Sequence, residues 1–480
     1  MPVDKERLHR TLNPSTVVVV GDKGPDFQWL TNQKEFSGEL YSVQVDPNEI
    51  TGIEERGFKN FTSLAEVPGE IDLLICAVPR QVVPRIVQDA ITRNVSGIAM
   101  FTAGFAETQE ALGIELQQRI VTMATEAGMP IVGPNCMGIY NRRLGIRFSA
   151  EMQHAEGGNV SFMSQSGSHA VGLTNEAQYA GIGVTRTISI GNAAVLNEAD
   201  YIEYLAEDPD TQYIGVYIEG PRDGRRFFQR LREVTKSKPV VMFKGGSTAN
   251  GASAARTHTT SLATPQTLWD AMARQSGAIP VVTRDELIDT LAVLVNCPPP
   301  AGRRIALLAG SGGQSVAISD AAGRADLQMP RLSDRSYGRL QEFFNVIGGS
   351  YFNPFDMGAT IAPTSVRGSE SNLQKILDIL SEDGNLDAAI YEIGTGGPGG
   401  RLDMDRLTRT LDTIDAWRAN SWSKPLIMVV HPGTNPESYH TVRSTLIERG
   451  YPVCPSFDRA AQAYSRVERY YATRTERSES

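Results

Sequence analysis

The sequence predicts three α/β domains in series, each built on a parallel sheet. Short apolar runs alternate with amphipathic helical stretches along nearly the whole chain, the pattern of successive βαβ units. A length of 480 residues suits about three domains of roughly 150 residues each. The run Pro298-Pro299-Pro300 stiffens a linker and marks the clearest boundary.

The first block opens with TVVVVG at 16–21 and continues through LYSVQVDP, DLLICAVP, GIAMFTAGF and MPIVGPNCMGIYN. Between these runs, RQVVPRIVQDAITR and AETQEALGIELQQRIVTMATEAG have the period of amphipathic helices. A strand first, with glycine straight after it, is the order of a Rossmann-like nucleotide-binding domain, assigned here to 1–147. The second block, 148–297, begins at GNVSFMSQSGSHAVGL and has strands at TRTISIG, YIGVYIEG and KPVVMFKGG. The third, 301–470, starts at RRIALLAGSGGQSVAISDAA and repeats the strand, Gly-rich turn, helix order through LDAAIYEIGTGGPGG and KPLIMVVHPG. Residues 471–480 read as a flexible tail.

Composition excludes several classes of function. A hydrophobic fraction of 41% and a charged fraction of 21% are those of a soluble globular protein. The net charge of −9 repels polyanions, so neither nucleic acid nor a membrane surface is expected as a partner. Cys76, Cys136, Cys297 and Cys454 form no CxxC pair, which predicts neither a disulfide framework nor a metal site. The N-terminus lacks a signal-peptide core and no apolar run nears the ~20 residues of a membrane span, so the cytoplasm is expected.

Five segments can carry chemistry, and each has a plainer reading. The turn Gly21-Asp22-Lys23-Gly24 offers backbone N–H groups and a lysine to phosphate, or is an ordinary strand–helix turn; Asp22 and Asp26 do not favour a pyrophosphate. TAGFAE at 102–107 and GPNCMGIYN at 133–141 follow strands, and such turns converge on one crevice in an open parallel sheet. Cys136 has no base nearby and reads as a small, half-buried thiol. In SQSGSHA, Ser164 and Ser166 can cap a helix whose free amides also suit an anion; His169 reads as structural. Glu219 ends the apolar strand of YIEG, where a carboxylate either orients a histidine or caps the next helix. KGGSTANGASAARTHTTSLAT at 244–264 is a small-residue loop that presents His258 among hydroxyls suited to phosphate oxygens.

Together these segments resemble one family, the nucleoside-diphosphate-forming acyl-CoA synthetases, with succinyl-CoA synthetase as a more distant member. CAVP, TAGFAE, GPNCMGIYN, SQSGS, SIGNAAVLNEADYIEYLAEDP, YIEG, the KGG…THTTSLA loop and NPFD at 353–356 stand in family order. The resemblance implies a CoA-binding domain followed by two flavodoxin-like, succinyl-CoA synthetase-like domains. It also implies a hetero-oligomer with an ATP-grasp, beta-type subunit that holds ATP or ADP and Mg²⁺. By this resemblance His258 matches the phosphorylated histidine, Glu219 its partner carboxylate, and Ser164, Ser166, Gly167 and Ser168 the phosphate-holding helix terminus. Gly21, Lys23, Val78, Pro79, Thr102, Ala103, Gly104, Asn135 and Cys136 fall on segments that line the coenzyme A groove in relatives. The implied reaction interconverts acyl-CoA, ADP and phosphate with a small carboxylic acid, ATP and CoA.

Two departures from the family stand out. Thr260 and Thr264 occupy positions where members commonly have glycine, and their Cβ atoms narrow the backbone freedom of a loop that must swing. The first turn also lacks the family's GAS opening. Two other readings use the same scaffold: a carbamoyltransferase like the oxamate carbamoyltransferase branch, and a non-catalytic CoA-binding subunit. A dinucleotide dehydrogenase fits less well, since the first turn is not GxGxxG and Asp46 is the only acid spaced for a ribose.

Overall fold

The computed structural model describes residues 4–155, 157–251, 265–310, 315–361, 369–396, 402–433 and 435–479. Two compact units divide the chain, 1–287 and 288–480.

The first unit holds two sheets. Strands β1 (Thr16–Val20), β2 (Glu39–Val43), β3 (Lys59–Phe61), β4 (Leu73–Cys76), β5 (Gly97–Met100) and β6 (Ile131–Val132) form a parallel sheet in the order β3-β2-β1-β4-β5-β6. That is the strand order of a dinucleotide-binding fold, with its reversal between β1 and β4. Helices α1 (Lys5–Leu12), α2 (Gln28–Asn32), α3 (Pro47–Glu55), α4 (Val83–Thr92) and α5 (Ala111–Glu126) accompany it. Arg10 on α1 donates to Asp72 at 2.8 Å, and Asp72 also accepts the Ser15 amide, so α1 is tied to the rim of the sheet.

In the second sheet, β7 (Gly138–Asn141), β8 (Val160–Ser164), β9 (Val184–Ser189), β10 (Tyr213–Ile218), β11 (Val240–Lys244) and β12 (Ile279–Val281) lie in the order β12-β11-β10-β8-β9-β7. Counted from β8, this is the flavodoxin order 2-1-3-4-5, with β7 added antiparallel to β9 at the edge. The segment GPNCMGIYN, read whole as part of the first block, thus divides between a turn after β6 and a strand of the second sheet. Helices α6 (Gly167–Tyr179), α7 (Glu198–Glu207) and α8 (Gly224–Val234) complete this part, with a further helix at Gln266–Ser276. The acidic stretch LNEAD has a local reason: Asn197 and Asp200 form a reciprocal capping box at the start of α7.

Both sheets of the first unit feed one apolar cluster. It runs from Val17, Val19, Leu73 and Ile75 through Cys136 and Ile139 to Met163, Ile188 and Ile214. Continuous packing of this kind fixes the crevices of the two sheets relative to each other.

In the second unit, β13 (Ile305–Ala309), β14 (Phe355–Asp356), β15 (Ala388–Glu392), β16 (Leu426–Val429) and β17 (Val453–Cys454) pair in parallel, in the order β14-β13-β15-β16-β17. This is again the flavodoxin order. The NPFD motif has a structural role here: the Asn353 amide donates to Ile305 O at 2.8 Å, and its oxygen accepts the Leu307 amide at 3.1 Å. Residues 471–479, expected as a tail, continue the last helix, Phe457–Glu479. Among the described residues no helix is long and apolar enough to cross a membrane.

Candidate functional site

Open parallel sheets bind ligands beyond the carboxyl ends of their strands, where the order reverses. In the first sheet that point lies between β1 and β4, and the turns leaving it carry Gly21 and Val78. Gly21 has φ +82°, and an added Cβ would fall on Val78 Cγ1. Only glycine suits both demands. Gly21→Ala is therefore expected to cost at least about 1–2 kcal/mol from the left-handed backbone alone. A lowered melting temperature would check it.

The same turn disposes of its acid. Asp22 is buried, and its carboxylate accepts the amides of Lys23 at 3.0 Å and Leu30 at 2.8 Å. Burial pushes this carboxyl up, against those amides. The acid that seemed unfavourable beside a pyrophosphate is consumed within the protein, and Lys23 remains exposed. Asp46 is similarly spent, as the cap of α3.

Several predicted groove residues contribute backbone shape rather than side chains. The Thr102 hydroxyl is buried and donates to Val78 O at 2.7 Å. Glu107 accepts the Gly104 amide at 2.6 Å, while Ala103 and Pro79 are exposed. Asn135 is half-buried with φ +56°. Cys136 is fully in the core, not half-buried, and its thiol points at Met100 O and Val132 O. Burial pushes this thiol up to about 12, which removes it as a nucleophile at neutral pH.

In the second sheet the reversal lies between β8 and β10, and the Gln165 side chain reaches the main chain after β10 there. The Gln165 side-chain oxygen accepts the amides of Glu219 at 2.5 Å and Gly220 at 3.3 Å. Its nitrogen donates to Gly220 O at 2.9 Å and to Glu198 at 2.8 Å. Ser166 caps α6, accepting the His169 amide at 3.4 Å, with the Ser168 hydroxyl 3.0 Å away. Gly167 opens the helix, whose leading amides and positive dipole end suit an anion. Ser164 is different: its hydroxyl is buried and donates to Ser166 O at 2.7 Å, so it shapes the turn. Glu219 is buried, and the tyrosine that hydrogen-bonds its carboxylate, Tyr217, stacks on His169 in the first turn of α6. At the end of β11, Lys244 is buried and its ammonium donates to the carbonyls of Gly245 and Gly246, both at 3.2 Å.

His258, Thr260 and Thr264 lie outside the described residues.

One polar chain joins the two crevices. Glu107, of TAGFAE, accepts from the Asn192 amide group at 2.6 Å. Asn192 O accepts from Arg222 Nε at 2.7 Å, and the Arg222 amide donates to Glu198 at 3.2 Å. Glu198 is held by Gln165, which holds Glu219. Burial raises the Glu198 carboxyl and lowers Arg222, while the two attract each other. Gln165, Asn192 and Arg222 were not singled out from the sequence, although all lie within or beside the motifs SQSGS, SIGN and YIEG. Their side chains matter only through partners far away in the chain. Among the described residues, no cluster of three or more His, Cys, Asp or Glu side chains is arranged to hold a metal ion.

Comparisons with known proteins place both sheets of the first unit in known families. A family profile described as a CoA binding domain matches residues 17–142, and one described as a succinyl-CoA ligase like flavodoxin domain matches 157–294. The chain is 34% identical to the alpha subunit of ADP-forming acetate–CoA ligase II of Pyrococcus furiosus, over 79% of this chain and 80% of that one. It is 30% identical to the alpha subunit of ligase I of the same organism, over 95% and 96%. ADP-forming acetate–CoA ligase I of Archaeoglobus fulgidus is 32% identical over 80% of this chain, which spans 54% of that longer protein. Among solved structures, the dinucleotide forming acetyl-coenzyme A synthetase 1 of Ca. Korarchaeum cryptofilum, in complex with phosphate and ADP, superposes with a TM-score of 0.84. It is 25% identical, and 98% of each chain is covered.

Proposed function

Because the chain belongs to the family of ADP-forming acetate–CoA ligase alpha subunits, we propose that it is the CoA-binding, phosphoryl-carrying subunit of an ADP-forming acyl-CoA synthetase. Its partner would be an ATP-grasp subunit that holds the nucleotide and Mg²⁺. The observation that supports this most is the meeting of Gln165, Ser166 and Glu219 at the reversal of the second sheet, beside the first turn of α6. A buried carboxylate next to a helix N-terminus offers the two surroundings a phosphohistidine needs: an acceptor for one ring nitrogen and donors for phosphoryl oxygens.

The chemistry follows from those surroundings. Inorganic phosphate attacks the thioester carbonyl carbon of acyl-CoA and expels the CoA thiolate, leaving an acyl phosphate. A neutral nitrogen of His258 then attacks phosphorus and expels the carboxylate of the free acid. Glu219 accepts a hydrogen bond from the other ring nitrogen, which fixes the tautomer and stabilises the positive charge that develops on the ring. Amides at Ser166 and Gly167 stabilise the phosphoryl oxygens. ADP finally takes the phosphoryl group on the partner subunit, and every step reverses for synthesis. Gly21, Lys23, Val78, Pro79, Thr102, Ala103, Gly104 and Asn135 border the groove for CoA, with Lys23 as its exposed cation. The Asp22 carboxylate of the turn after β1 is turned inward onto the amides of Lys23 and Leu30, which leaves Lys23 and the exposed Asp26 as its outward charges.

The test is reconstitution with an ATP-grasp subunit and a panel of acids. We expect ATP- and CoA-dependent acyl-CoA formation that releases ADP and phosphate. Binding of carbamoyl phosphate without any binding of CoA would overturn the assignment.

A further inference from the structure

Tyr217 lies two residues before Glu219, so the two side chains share one face of the sheet edge. The Tyr217 hydroxyl donates to Glu219 Oε1 at 3.2 Å. Its ring is held on two sides. His169 stacks against it with centroids 3.9 Å apart and planes 25° apart, and Phe243 meets it edge-on at 5.1 Å. Gly245 fills the remaining approach: a Cβ there would lie 2.5 Å from the Tyr217 hydroxyl and 3.1 Å from Glu219 Cγ. None of this arises from chance proximity on a mobile surface, since Tyr217, Glu219 and Gly245 are all buried.

We propose that Tyr217 is a positioning residue, whose hydroxyl holds the Glu219 carboxylate in the orientation that pairs with the phosphoryl-accepting imidazole, and that His169 fixes the tyrosine ring. The inference rests on the roles given above to Glu219 and His258. Burial, reinforced by the Glu219 carboxylate, pushes the Tyr217 phenol far up, so it stays a donor across the working range. His169 moves the other way: burial, with Arg284 nearby, lowers it against the pull of Glu219. Its Nδ1 is buried with no hydrogen-bond partner among the described residues. It therefore serves Tyr217 as a ring face and not as a charge.

Among the described residues, Glu198 is joined through Gln165 to the main chain at Glu219, the Lys244 ammonium donates to two carbonyls, and Arg284 is paired with Glu176 at 2.6 Å. The tyrosine hydroxyl touches the carboxylate itself.

The test measures the rate at which Mg-ATP labels the chain, in the complex with its ATP-grasp subunit, as a function of Mg-ATP concentration. This readout does not depend on which acid is the substrate. Tyr217→Phe keeps the ring and is expected to slow labelling by about tenfold, the scale of one hydrogen bond to a charged group. The Mg-ATP concentration that half-saturates labelling should stay at the wild-type value, because the nucleotide is held by the partner subunit, so the loss falls on the rate at saturation. His169→Phe keeps the stacked face and should label like the wild type, whereas His169→Ala should be slow. If Tyr217→Phe fails to fold, His169→Ala decides in its place: slow labelling supports the proposal and a wild-type rate overturns it. A wild-type rate at saturating Mg-ATP in Tyr217→Phe, with Glu219→Gln slow, overturns the proposal and leaves the role of Glu219 standing. A wild-type rate in Glu219→Gln overturns that role, and the proposal with it.

Discussion

Replacement of His258 by alanine is expected to abolish phosphoryl transfer in the reconstituted pair. Removal of a nucleophile that carries a covalent intermediate has no partial substitute, so turnover should fall by roughly 10⁴-fold or more. The check is direct. Wild-type chain incubated with the ATP-grasp subunit and Mg-ATP should acquire a label that is labile to acid and stable to alkali, as a phosphorus–nitrogen bond requires. The variant should acquire none. CoA binding, measured by calorimetry, should be unchanged, because the groove of the first sheet is built from other residues. Robust activity in His258→Ala would remove the phosphohistidine from the mechanism while leaving the fold assignment intact.

Glu219→Gln carries the second largest effect, a loss of roughly 10²- to 10⁴-fold in the rate of labelling. Glutamine preserves the length of the side chain, and the main-chain bond from residue 219 to Gln165 does not depend on the carboxylate. What disappears is the negative charge beside the ring that becomes positive as phosphorus is transferred. A variant with weakened CoA binding but an undiminished labelling rate would assign Glu219 to the scaffold instead.

Much of this protein was legible in its sequence because much of it is locally determined. Period and glycine position predicted the central strands of all three sheets and the helix after SQSGS, but not the outer strands β3, β12, β14 and β17. Other features were legible only as candidates. Cys136 and Thr102 fell on groove segments, yet the thiol points into the core and the hydroxyl is spent on Val78. Asp22 looked hostile to phosphate until two backbone amides were found to occupy it. GIYN looked like the end of the first domain, and its register against β9 gives it to the second sheet.

Strand periodicity, turn chemistry and helix capping act over a few residues, so the sequence by itself determined the α/β class and the residue types at the turns, while the division into two compact units came from packing. Which of those residues meet was decided by strand order. Gln165 and Glu219 are far apart in the chain and adjacent only because β10 lies against β8; Glu107 reaches Asn192 only because one apolar cluster packs the first sheet against the second. Such contacts carry no local signal, because the free energy that creates them is the burial of surfaces drawn from the whole unit.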